Sequence, residues 1–331
     1  MATVTASAPL IGASGSFAGV NYSGTFIPTL WASKLNRKFY LATVFGEIAN
    51  TDYEGEISNL GDKVVINNIP DITIADYTVG GTLSYAVPTP STLELSIDRA
   101  KAFAFQVSDV VEHQAKPKLM ETFSDEASQK MKIAVDRALI YGDSAAKPGI
   151  ANDVAAANQG ATAGAISSGY NLGTATAPVA LTGSNVLQTL TALSGVLDEQ
   201  NVPETDRWLL IDPLTRQLLM QSNLAQAQFM GDSTSMVRNG KIGGIDRFTV
   251  YVTNQLPKAA ATLDYWGGAA TGTAKRRVLI AGHKSAVTFA SQMTKMETLR
   301  NPTDFGDYVR GLNVFGYKTV LPTALAMAIV S

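Results

Sequence analysis

The stretch ADYTVGGTLSY (residues 75–85) has a Gly-Gly pair at its centre and strand-like sequence on both sides. Gly80-Gly81 suits a tight hairpin turn, where glycine accepts backbone angles that other residues avoid. Upstream, VVINNI and ITIADYTV are rich in β-branched residues and are interrupted by Pro70. Downstream, Leu93, Leu95 and Ile97 alternate with Glu94, Ser96 and Asp98, the period of a half-buried strand. Phe103, Phe105 and Val107 alternate with Ala104 and Gln106 in the same way. A hairpin closing at Gly80-Gly81 would have arms of roughly 20 residues, about 60 Å at ~3.3 Å per residue. A globule of this chain length has a radius of gyration of only about 20 Å. Pro70, Pro88 and Pro90 must bend the arm or break its pairing. A projecting two-stranded arm is also marginal alone in water. The expectation is an arm that needs another surface to lie on. Its candidate tip contacts are Asp76, Tyr77, Thr78, Val79, Gly80, Gly81, Thr82 and Tyr85, with the turn position left open toward Pro88 and Pro90.

Working outward, residues 1–25 are rich in Ala, Gly, Ser and Thr without periodicity. Such a segment buries too little apolar area to offset its ordering entropy, so it reads as a tail or as an arm that orders on a neighbour. Residues 26–45 are dense in aromatics, with Leu30, Lys34 and Lys38 at helical spacing, and predict a short amphipathic helix after Pro28. Beyond the arm, Ser108-Asp109 caps a short turn and Pro117 opens a long helix. Leu119, Phe123, Ala127, Met131, Ala134, Ala138 and Tyr141 recur at steps of three or four, and Gly142 stops the pattern. About 25 residues at 1.5 Å each give a helix of roughly 37 Å, a structural spine whose apolar stripe should be covered. Residues 143–183 are of low complexity and read as a loosely ordered insertion. Ser184 then caps a helix with Val186, Leu190, Leu193 and Leu197 on one face. Strands follow at 208–211, 248–252 and 278–281, with a helix from Pro213. Helices and strands mix without a βαβ repeat, so the fold class is α+β.

The chain has 331 residues, of which 46% are hydrophobic and 16% charged, against a typical ~25% charged. A large core and a surface hidden against other subunits explain these numbers equally well. Lys and Arg number 26 and Asp and Glu 28, a net charge of −2 that gives no nucleic-acid-binding surface. The absence of cysteine excludes disulfides, thiolate metal sites and cysteine nucleophiles. The N-terminus lacks the features of a signal peptide, and LPTALAMAIV is too short to span a bilayer. The expected context is cytoplasmic, with no membrane contact.

No phosphate-binding G-x-x-x-x-G-K-[ST] loop and no G-x-S-x-G nucleophile elbow occurs. His113 and His283 read as surface turn residues. Asp52, Glu54 and Glu56 would share one side of an extended segment, where carboxylates suit a hard cation, but the turn glycine of a calcium loop is missing. Lys34, Arg37 and Lys38, with Lys275, Arg276 and Arg277, form at most weak basic patches. Asn21-Tyr22-Ser23 fits a glycosylation sequon by chance. No catalytic residue, cofactor site or metal site is assigned, and no enzyme reaction is named.

The ordered set of long β arm, spine helix, low-complexity insertion and mixed remainder resembles a major capsid protein of a tailed bacteriophage. From Gly61-Asp62 through ITIADYTVGGTLSY to LELSIDRAKAFAFQVSDV, the chain resembles that family's extended loop. The helix with Ala127 and VDRALI, ending at Tyr141-Gly142, resembles its spine helix. HKSAVTFASQMTKMETLRNPTDFGDYVRGLNVFGYKTVLPTALAMAIV resembles its closing segment, where a Gly-Asp pair precedes a hydrophobic strand and a V-F-G-Y-K step. The resemblance covers most of residues 26–142 and 280–331 and is weak over 143–275.

The resemblance implies the fold shared by tailed-phage capsids, herpesvirus capsids and encapsulins, with an N-terminal arm, extended loop, peripheral domain and axial domain. It places arm and lead-in helix at 1–60, extended loop at 61–107, and spine helix and peripheral domain at 108–184 with a flexible insertion at 143–183. It places a mainly axial domain at 185–300 and return strands of the peripheral domain at 301–331. Hexamers and pentamers would form an icosahedral shell around double-stranded DNA, assembled in a bacterial cytoplasm and located in the virion. The implied partners are further copies of the chain, a separate scaffolding protein, a portal protein, non-specifically contacted DNA and, optionally, a decoration protein. Some relatives join Lys to Asn covalently, but no such pair is identified. An encapsulin-type compartment shell is the alternative within the fold, and an enzyme with an unrecognised site is the alternative outside it.

Overall fold

Apolar strands that bury both faces, a long helix and one six-residue hairpin ladder organise the chain. The structure, a computed structural model, describes residues 16–17, 20–21, 44–52, 63–68, 70, 72, 74, 76, 79–80, 85, 87–114, 119–140, 142–144, 147–222, 244–256, 258–259 and 276–331. In chain order, β1 (Ser16–Phe17) pairs with β2 (Val20–Asn21), and α1 (Phe45–Ile48) follows. Next come β3 (Lys63–Asn68), β4 (Ser91–Ser96), β5 (Arg99–Ser108), α2 (Asp109–Gln114) and α3 (Leu119–Ile140). Then come β6 (Gly142–Ser144), β7 (Lys147–Pro148), α4 (Val186–Glu199), β8 (Arg207–Ile211) and α5 (Pro213–Met220). The chain closes with β9 (Gly244–Ile245), β10 (Phe248–Val252), β11 (Lys258–Ala259), β12 (Arg276–His283), β13 (Val287–Arg300), β14 (Gly306–Thr319) and β15 (Leu325–Val330). Helices and strands are mixed as the α+β reading expects, and α3 is the spine helix.

The main core surrounds a mixed sheet. β8 lies between parallel β10 and antiparallel β12, and β15 pairs with β12. All five residues of RWLLI in β8 and all six of LAMAIV in β15 are buried. Val186, Leu190, Leu193 and Leu197 on α4 are buried with them, the face that the sequence period selects. Each such aliphatic side chain contributes about 1.5–3 kcal/mol on burial. Asp212 caps α5 by accepting from the Thr215 amide at 3.1 Å, with Pro213 at the first helical position. The cap of α4 is Asn185 rather than the expected Ser184. The Ser184 hydroxyl pairs with that of Thr182, while Asn185 Oδ1 accepts from the Thr182 amide.

The second sheet has the order β13-β14-β5, antiparallel throughout, with α3 packed on β5 and β14. β5 is an edge strand of this sheet, with β14 between it and β13, while β15 lies in the main-core sheet.

The insertion expected to be loose, described at 143–144 and 147–183, packs in part against the core. Ile150, Ala163 and Leu172 are fully buried. Val179 donates to Ile329 O at 2.9 Å and accepts from the Ser331 amide at 2.9 Å, so this segment pairs with the end of β15. Its small residues permit the approach: a Cβ on Gly173 would lie 2.2 Å from Ile329 O. The stripe of α3 is covered only in part. Of its described members, Ala138 is buried and Leu119, Ala127, Met131 and Ala134 are half-buried, whereas Phe123 remains 39% exposed beside the edge of the sheet; Val135, Leu139 and Ile140, outside the expected stripe, are buried as well. Pro117, Tyr141 and the helix expected within 26–45 lie outside the described residues, apart from Val44 and Phe45, the latter opening α1.

Candidate functional site

The β3–β4 ladder runs antiparallel from Lys63↔Ser96 to Asn68↔Ser91. Its last described pair lies two residues before Pro70 and directly after Pro90, consistent with proline's lack of a ladder hydrogen-bond donor. Among the described residues the ladder has six pairs, and those between 70 and 90 form no strand. The register carried forward reaches its midpoint between Val79 and Gly80, and these two residues form a turn, Gly80 at φ 87°.

Of the expected tip residues, Asp76, Val79, Gly80 and Tyr85 are exposed, and Tyr77, Thr78, Gly81 and Thr82 lie outside the described residues. Val79 is 96% exposed and Tyr85 89%. Three apolar residues missed in the sequence reading join them: Ile72, Ile74 and Val87, with Ile74 at 99% exposure. For Ile72 and Ile74 the signal was present in the β-branched run ITIADYTV, read there as strand rather than as contact surface.

The base of the hairpin is firmly seated. Ile66 and Leu95 form a buried cluster with Ala290, lined by Val64, Leu93, Ile97 and Val320. Gly316 on β14 makes this close packing feasible, because the backbone of Ser96 and Ile97 passes directly over it. Next to it, Arg99 gathers the end of α3. Its guanidinium donates to Ala138 O at 3.2 Å and Pro148 O at 3.2 Å, lies 3.4 Å from Asp143 Oδ2, and stacks 4.2 Å from the Tyr317 ring centroid. The Tyr317 hydroxyl donates to the same two carbonyls. The F-G-Y of the V-F-G-Y-K step thus supplies a buried Phe315, a gap for the hairpin and a clamp on the spine.

Between the edge strand β5 and α3 lies an open groove of about 620 Å³, lined by Phe103, Phe105, Phe123, Ala127, Met131 and Ala134 among others. Phe105 meets Phe123 edge to face at 6.1 Å between centroids and Phe103 at 6.2 Å. A seated hairpin base, an exposed apolar connection and an aromatic groove suit protein–protein contact.

The other sequence candidates are not brought together with these features. His113 is exposed on α2, and His283 Nδ1 accepts from the Ser285 amide in a local turn. Asp52 is exposed, and Glu54 and Glu56 lie outside the described residues. Among the described residues, no group of three or more His, Asp or Glu could hold a metal, and no helix is long and apolar enough to cross a membrane.

A family described as phage capsid protein matches residues 90–328. No curated protein matches the chain by sequence. A solved structure from Mycobacterium phage Che8 is similar at 24% identity and TM-score 0.68, covering 93% of this chain and 98% of that one. The capsid of cyanophage P-SCSP1u is similar at 19% identity and TM-score 0.68, covering 94% and 96%. The capsid of a native GTA particle is similar at 12% identity and TM-score 0.60, covering 92% and 96%.

Proposed function

Since the chain belongs to the phage capsid protein family, we propose that it is the major subunit of an icosahedral shell, built from hexamers and pentamers, that encloses double-stranded DNA in the virion. The observation that carries this reading is the hairpin connection. Its base is packed into the subunit's own sheet, yet Ile72 is largely exposed and Ile74, Val79, Tyr85 and Val87 stand almost bare in water. Several adjacent apolar side chains exposed on a projecting segment are stabilised by covering another copy, and closed symmetry repeats that contact around a shell. The groove between β5 and α3 gives the receiving copy a matching aromatic surface. A net charge of −2 suits a wall that contains DNA without gripping it.

The reading includes a separate scaffolding protein, a portal and assembly in a bacterial cytoplasm, and gives the chain no catalytic role. Sedimentation and electron microscopy of the purified protein test it. Shells or capsomer-sized species are expected; a stable monomer with enzymatic turnover would overturn it.

A further inference from the structure

Asp136 is fully buried on α3, on the stretch where Val135, Ala138 and Leu139 pack into the core. Its Oδ1 accepts from the backbone amides of Val44 at 3.1 Å and Phe45 at 2.9 Å, at the start of α1. Its Oδ2 lies 2.6 Å from the side-chain amide of Gln255, in the loop after β10. One carboxyl thus ties three separate segments together.

Among the described residues, no cation pairs with it. Glu47 on α1 and the Tyr251 hydroxyl on β10 meet each other at 3.5 Å. Lys132 and Arg137 on α3 are exposed. Arg99 and Lys101 on β5 pair with Asp143 on β6, and Asp153 accepts from Thr319. On β14, Tyr317 bonds Ala138 O and Pro148 O, Asp307 pairs with Arg300, Arg310 pairs with Glu297, Tyr308 is half-buried and Lys318 is exposed.

A second observation concerns Gln255. Its Oε1 is buried without a hydrogen-bond partner. The 2.6 Å separation between its amide and Asp136 Oδ2 is short for N–H···O and typical of O–H···O. Turning the amide by half a rotation sets Oε1 against Oδ2, and a proton on the carboxyl then makes the bond.

We propose that Asp136 is a proton-operated latch that holds residues 44–50 on the spine helix more firmly when its carboxyl is protonated than when it is ionised. Burial pushes this carboxyl from 3.8 up to about 6, opposed by the two backbone amides. The closed site therefore binds the proton more tightly than the open one. The grip is complete below about 4, weakens as pH rises toward 6, and is constant above. A shift of about two pH units corresponds to roughly 100-fold in the opening equilibrium. The latch stands independently of the shell assignment, since it concerns contacts within one chain.

Hydrogen exchange at the Val44 and Phe45 amides of the full-length protein, corrected for intrinsic exchange, tests it. Opening should rise about 100-fold between pH 4 and pH 7.5 in the wild type. It should be flat in Asp136→Asn, whose amide oxygen still accepts from α1 and whose NH₂ can donate to Gln255. Wild-type protection that ignores pH, or the same pH dependence in D136N, would overturn the latch. If D136N does not fold, the ¹³C carboxyl shift of Asp136 in the wild type decides, with a midpoint near 6 supporting the proposal and one below about 4.5 overturning it.

Discussion

Gly316 shows how one position can govern a whole element. A Cβ there would lie 2.2 Å from Ser96 O and 3.0 Å from Ile97 Cα, both backbone atoms that cannot rotate aside. Gly316→Ala must therefore shift the base of the β3–β4 hairpin or the β14 strand, at about 1–3 kcal/mol. A lower thermal midpoint, with faster proteolysis between residues 69 and 90, is the expected readout. The adjacent Tyr317→Phe removes only a hydroxyl, but Ala138 O and Pro148 O then lose a donor at the end of the spine helix. Denaturant unfolding should show a loss of about 1–2 kcal/mol, with no effect on the hairpin's proteolysis. The F-G-Y step was visible in the sequence as a motif, but its roles were not. They depend on residues far away in the chain, such as Arg99 and Ala138, which only the tertiary fold brings to Tyr317. The same holds for Asp136: an acid within an apolar helical period gives no sign that Val44, Phe45 and Gln255 will meet it.

At the scale of elements, periodicity located most strands and helices, because a half-buried strand and a core-facing helix must each show their own repeat. What periodicity could not supply was the partner of each strand. β5 alternates cleanly wherever it is placed, and only its pairing with β14 shows that it lies in the sheet against which α3 packs. The 147–183 insertion misled for a different reason. Composition poor in large apolar residues suggested looseness, whereas its glycines and alanines let the backbone hydrogen-bond closely along β15. The spine helix illustrates a half-correct reading, since the helix is there but most described members of the expected stripe are only half-buried and its most deeply buried turn also uses Val135, Leu139 and Ile140. Phe123, 39% exposed at the groove, keeps enough contact with water for a charge. Phe123→Asp should thus cost about 1 kcal/mol or less in the thermal unfolding of the isolated subunit, far below the cost of a buried unpaired charge. It should nevertheless impair association if the groove receives a second copy. A large loss of subunit stability would show instead that the groove is closed in solution.

At the scale of the whole molecule, the chain separates what it needs for folding from what it offers to others. The main-core sheet, the clamp at the end of α3 and the seated hairpin base are satisfied within one copy. The connection between β3 and β4 is not, and its exposed apolar residues are the main evidence for a partner of the same kind. The arm was recognisable in the sequence because prolines and glycines punctuate it at the points where the ladder stops and turns. Deleting residues 73–88 leaves the six-pair ladder and its seat untouched, so the subunit should fold with an unchanged thermal midpoint. The most direct test of the account is electron microscopy of this deletion beside the wild type under identical assembly conditions. The account predicts closed shells from the wild type and only unassembled or irregular material from the deletion. Normal closed shells from the deletion would contradict it.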